Sequence, residues 1–162
     1  MVPLFKSLVR PILEYANPVW SPYLRKHVNQ IENVQRQFTK RIQGLGAREY
    51  EQSLHYLKLP SLEHRRLRGD LLEVYKIVHN FYDPVTTKNL LTPINTERTR
   101  GHEFKLTKLA VNTRQFGSFF TNRIVSTWNN LPPEAVKAQS LNSFKNHLDN
   151  LFTKTMYSTN LS

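Results

Sequence analysis

Cysteine is absent from the 162 residues. No disulfide framework, thiol nucleophile or thiolate-bound zinc can therefore be built, and a reducing, intracellular setting, nucleus or cytoplasm, suits the chain. Glycine is scarce, five scattered residues with no GxGxxG and no Gly-rich phosphate loop, which sets aside the familiar nucleotide-cofactor motifs. Long apolar runs are missing too. The longest is Leu109, Ala110 and Val111, far short of the roughly 20 residues that cross a bilayer, so a soluble protein without a membrane partner is expected. Pro3, Lys6 and Arg10 interrupt the only apolar stretch near the N-terminus, and no signal peptide is read there. Acids are few, 12 against 23 Lys and Arg, and the aspartates Asp70, Asp83 and Asp149 lie far apart. No adjacent Asp pair exists to hold two metal ions for phosphoryl transfer. The six His include no HxxxH pair, and GxSxG is absent. Neither an independent enzyme nor a cofactor is expected.

What is present points to a folded, basic protein. Two Trp, seven Tyr and nine Phe within 39% apolar residues are too many for a disordered tail. The net charge of +11 and a pI near 10.1 suggest a polyanionic partner, nucleic acid before membrane. The excess is spread along the chain, with 13 basic and 8 acidic side chains over 1–84 and 10 and 4 over 85–162.

Periodicity predicts a mainly α fold. Leu4, Leu8 and Ile12, with Phe5, Val9 and Leu13, suit an opening helix, although Pro11 predicts a kink or break. Ser21 and Pro22 make a helix start, followed by a stripe of Leu24, Val28, Ile31, Val34, Phe38 and Ile42, with Gly44 and Gly46 as the stop. A short helix is expected from about Arg48 to Lys58, facing inward through Leu54 and Leu57. Another is opened by Ser61 and carries Leu67, Leu71, Val74, Tyr75 and Val78 to about Phe81, with Asp83 and Pro84 ending it. The polar stretch 85–97 reads as a linker between a helical region 1–84 and a C-terminal helical region 98–162. A β hairpin or strand is expected near 98–112, then a helix through Phe120, Ile124, Trp128 and Leu131, and a last one from about Ser140 to Phe152.

Three basic groupings are candidates for contact with nucleic acid. Opposite the stripe of the Ser21 helix lie Lys26, Asn29, Asn33, Arg36 and Lys40, with Arg25 beside them; Glu32, its only acid, sits nearer the apolar edge. Cationic side chains and amides are donors that phosphate oxygens accept. On the Ser61 helix Arg65, Arg66, Arg68 and Lys76 share an arc, which Gly69 joins. Arg98, Arg100, His102 and Lys105 surround Gly101, where the backbone can bend to offer amides to an anion. Trp20 and Trp128, set among apolar neighbours, are expected in the core.

Four blocks resemble, in order, the region that follows the palm in reverse transcriptases of non-LTR retrotransposons, the jockey-like kind. They are SLVRPILEYANPVWSPYLRK; IENVQRQFTKRIQGL; LKLPSLEHRRLRGDLLEVYKIVH; and RTRGHEFKL with FFTNRIVSTWNNLPPEAVKAQSLNSFKNHLD. Together they span about residues 4 to 150. The resemblance implies the helical thumb, and the region beyond it, of an RNA-directed DNA polymerase that grips primer and template RNA and DNA. The family's aromatic-Ala-Asp-Asp turn, which holds magnesium on the palm, has no counterpart in this sequence, nor has the endonuclease. The expectation is therefore a non-catalytic C-terminal fragment whose basic residues touch the nucleic-acid backbone, able to self-associate through surface left by a missing palm. The competing expectation is a helical protein-interaction module.

Overall fold

The computed structural model describes residues 1–87, 89–94 and 102–158, with side chains to 153. Its architecture is mainly α, in two compact units, Met1–Gly69 and Asp70–Ser162. This division falls inside a helix, whereas the sequence pattern places its linker at 85–97, of which residues 88 and 95–97 lie outside the described chain.

The first unit opens with α1 (Val2–Leu4), a π-helical turn (Phe5–Val9) and α2 (Arg10–Glu14). Pro11 has no N–H to give, and its ring would clash with a carbonyl one turn back. The chain answers by widening just before it, the Arg10 N–H reaching the Phe5 carbonyl five residues behind. The expected break thus becomes a wide turn, and the helical path continues to Glu14. Phe5 is buried and stacks on Phe38 with ring centroids 4.2 Å apart. Three longer helices follow: α3 (Arg25–Lys40), α4 (Tyr50–Leu57) and α5 (Leu62–Val78). α3 starts from Leu24, which has no capping side chain, three residues beyond the Ser21 signal. Two helices end in the same paired arrangement around a left-handed residue. After α4, Lys58 at φ 51° gives its N–H to the His55 carbonyl, while Leu59 gives its own to Leu54. After α5, Asn80 at φ 56° and Phe81 do likewise to Ile77 and Lys76. Asn80, rather than Asp83 and Pro84, therefore stops α5, and Pro84 begins α6 (Pro84–Thr87) instead.

In the second unit α7 (Arg114–Gly117), α8 (Phe120–Arg123), α9 (Val125–Asn129), α10 (Pro133–Val136) and α11 (Leu141–Ser158) follow. The helix expected through Phe120 and Trp128 is broken at Ile124 into α8 and α9, yet Phe120, Ile124 and Trp128 all point inward as predicted. The core centres on Phe144, stacked on Tyr75 at 4.4 Å and lying 6.0 Å from Trp128. Both polar aromatics find partners, the Tyr75 hydroxyl donating to the Ala138 carbonyl (2.5 Å) and the Trp128 indole to that of Phe104 (2.7 Å). Among the described residues the β element is one antiparallel bridge between Pro93 and Leu106. Pro93 has no N–H to extend a ladder. On the other side of Leu106 the Asn129 amide takes the place of a strand, accepting from the Leu106 N–H (2.9 Å) and donating to its carbonyl (2.8 Å).

Candidate nucleic-acid interface

Which face of α3 meets water is decided by polar residues. Val28, Glu32, Gln35 and Thr39 are buried, whereas Leu24 and Val34 of the expected stripe are 46% and 41% exposed. At about 100° per residue, the buried face is turned roughly 70° from the predicted stripe. The cause is the Glu32 carboxylate, which meets the start of α5. Its Oε1 accepts the Leu62 N–H and its Oε2 the Glu63 N–H, each at 3.1 Å, and the Tyr50 hydroxyl also donates to it. An anion there satisfies orphan amides and opposes the positive end of the helix dipole. Ser61 completes the cap, accepting from the His64 N–H, so the predicted helix start is correct. The Gln35 amide donates to both the Tyr50 hydroxyl (3.1 Å) and the Pro60 carbonyl (3.0 Å). Burial first, and then the hydrogen bond to Glu32, push the Tyr50 phenol well above its usual range.

The outward face that results carries Lys26, Asn29, Asn33 and Lys40, all exposed, over about 21 Å of helix axis at 1.5 Å per residue. The turn also brings Gln30 and Gln37 to its centre, two exposed amides outside the predicted ribbon. Arg36 is only half exposed, its guanidinium 4.8 Å above the Tyr50 ring. Arg25 is exposed and paired with Glu63 at 2.7 Å. No exposed side chain of α3 is acidic, because its single acid is Glu32.

α5 does not repeat this arrangement. Arg65 forms a two-pronged ion pair with Glu14, its Nη2 2.8 Å from Oε2. Arg66 is 5% exposed and gives its backbone carbonyl to the Asn17 amide. A buried guanidinium is withdrawn from any phosphate, so Arg66 leaves the predicted set. Arg68 is half-buried. Lys76 is held by Glu73 (3.1 Å) and the Tyr82 hydroxyl (3.2 Å). Gly69 lies beside the Asn17 amide, where an added Cβ would sit 3.6 Å away in ordinary contact, so its neighbour is the chain itself and the packing there does not demand glycine.

Arg98, Arg100 and Gly101 lie outside the described residues. Lys105 is half-buried. His102 belongs to the core rather than to an anion site: it is 2% exposed, with Nε2 3.2 Å from the Trp128 carbonyl. Trp128 is buried as expected, but Trp20 is 45% exposed, its indole donating to the Tyr15 carbonyl. Among the described residues no cluster of His, Asp or Glu is placed to hold a metal ion, and no helix is long and apolar enough to cross a membrane. The magnesium chemistry that the resemblance places on a palm thus has no fitting residues among them.

Burial lowers the pKa of the His102 imidazole from its ordinary 6.5, aided by Lys105 and Lys137 and opposed by the bond to Trp128. The unfolded chain therefore takes up this proton first as pH falls. Stability from His102 is full above pH 6.5 and declines below it, by at most about 1.4 kcal/mol per pH unit for one group. Urea unfolding between pH 7.5 and 5.5 should show wild type losing more stability than His102→Gln, whose amide can still serve the Trp128 carbonyl. Equal losses would show that His102 does not carry the dependence.

Compared with protein-family models, curated proteins and solved structures, the chain matches none.

Proposed function

We propose that the chain is the thumb and post-thumb region of a non-LTR retrotransposon reverse transcriptase, without catalysis of its own, binding RNA and DNA through their phosphate backbones. The observation that carries this reading is the outward face of α3, where Lys26 and Lys40 frame four exposed amides and the only acid is turned inward. Such a face offers donors along a line and nothing that repels phosphate. The net charge of +11 and the four ordered sequence blocks support the same reading.

The test is fluorescence anisotropy of labelled RNA and DNA strands and duplexes across a salt series. With about six phosphate contacts, the log of affinity for single strands should fall against log salt with a slope of about −4, at roughly −0.7 per contact. Lys26→Glu with Lys40→Glu should make the slope shallower, to about −3, and weaken binding at least about tenfold whatever the sequence. Both positions are exposed, so the fold should persist. A folded double variant with unchanged affinity and slope would make the ribbon an ordinary solvated face. A second reading, the protein-interaction module, is favoured by the exposure of Leu4, Leu8 and Ile12, spaced by four along the opening helical segment. Concentration-dependent sedimentation and salt-insensitive association would support it.

A further inference from the structure

Residues 104–133 contain no Asp or Glu, but they carry Lys105, Lys108, Arg114 and Arg123. Within this stretch two aromatic rings stand in water. Phe116 is 41% and Phe119 55% exposed, edge to face with centroids 5.6 Å apart. Their corner is braced from beneath. The Thr113 hydroxyl accepts the Phe116 N–H (3.2 Å) and so caps α7. Arg123, held two-pronged by Asp70 at 2.9 and 3.0 Å, donates its remaining arm to the Ser118 carbonyl (3.0 Å). Val111 lies beside Gly117, its Cγ2 3.5 Å from where a Cβ would be. Arg114 and Lys108 are exposed on the same stretch.

The geometry points to a base-stacking platform: Phe116 and Phe119 receive unpaired bases of a single-stranded nucleic acid, while Arg114 and Lys108 meet its phosphates. Exposed apolar rings on a rigid corner lose little freedom when a base settles on them, and every base has a π face to offer. A stretch with four cations and no acid of its own favours a polyanion, and the Asp70 carboxylate that meets Arg123 is neutralised by it. Duplex bases are already stacked and cannot use the rings. The platform thus adds a preference for unpaired strands to the backbone contacts of α3, and it rests on the nucleic-acid reading above.

The probes are fluorescein-labelled oligo(dT) and the same strand annealed to oligo(dA), with the full chain. Phe116→Ala with Phe119→Ala should weaken binding to the single strand about thirtyfold, within the range for losing stacked bases. Affinity for the duplex and the salt slope should hardly change, since no phosphate contact is removed. Phe116→Leu with Phe119→Leu keeps apolar bulk without a π face and should lose nearly as much. If the leucine pair binds like wild type, apolar bulk is what matters and the stacking platform is wrong. It is also wrong if the alanine pair keeps full single-strand affinity while Lys26→Glu with Lys40→Glu loses it, an outcome that leaves the α3 reading standing. Unchanged oligonucleotide binding with lost self-association would reassign the patch to a protein contact. A wild-type chain that binds neither probe overturns the nucleic-acid reading and the platform together.

Discussion

Glu32→Ala should destabilise the first unit by about 3 kcal/mol or more, although the change removes a charge from a basic protein. One carboxylate serves three donors, the Leu62 and Glu63 amides and the Tyr50 hydroxyl. Hydrogen bonds to a charged group contribute about 1.5–3 kcal/mol each, and stranding their buried partners costs a similar amount. Water entering the space left by the side chain offsets part of that sum. Glu32→Gln should lose about half as much, because its amide oxygen still serves one donor while its NH2 faces another. Urea unfolding followed by circular dichroism gives the magnitude. Hydrogen exchange at Leu62 and Glu63 locates the effect, and both amides should lose protection first. An alanine variant within about 1 kcal/mol of wild type would mean that solvent caps α5 as well as Glu32 does.

The same residue shows why sequence pattern reached only part of the structure. Apolar spacing found the helices and, in the second unit, their inward faces: Leu71, Val74, Tyr75, Trp128, Phe144 and Leu148 are all buried as predicted. In α3 the buried set Val28, Glu32, Gln35 and Thr39 runs at spacings of four, three and four, a proper helical period. Three of those four are polar, so a hydropathy reading assigns the helix face to the neighbouring stripe and misses Gln30 and Gln37. Glu32 was legible as lying near the apolar edge; its distant partners Tyr50, Leu62 and Glu63 were not. The cations of α5 failed for a similar reason. Arg65 and Arg66 look alike in sequence, but one meets Glu14, 51 residues away, and the other is enclosed. Charge periodicity assigns a side chain to an arc without revealing which partner awaits it. Phe116 and Phe119 are not singled out, because they lie just before the stripe expected from Phe120 onward, and spacing alone does not show that the chain turns a corner between α7 and α8 there.

Arg123→Met should cost about 3–5 kcal/mol, since it takes two charge-assisted hydrogen bonds from the buried Asp70 carboxylate. Much of that loss is the penalty of a buried charge deprived of its two-pronged guanidinium rather than the net value of the pair. Asp70→Leu with Arg123→Met should therefore recover most of it and approach wild type to within about 1 kcal/mol. Urea unfolding of the four species gives the coupling directly. A double variant as unstable as Arg123→Met alone would show that the guanidinium stabilises chiefly through the Ser118 carbonyl. Binding reads the other arm of Arg123. In the double variant the Ser118 carbonyl has lost its Arg123 donor, so the corner carrying Phe116 and Phe119 keeps only the Thr113 brace even though stability has returned. Single-strand affinity should then fall several-fold while duplex affinity holds, because the α3 ribbon is untouched. If the restabilised variant keeps wild-type affinity for the single strand, rigidity of that corner is not what holds the bases.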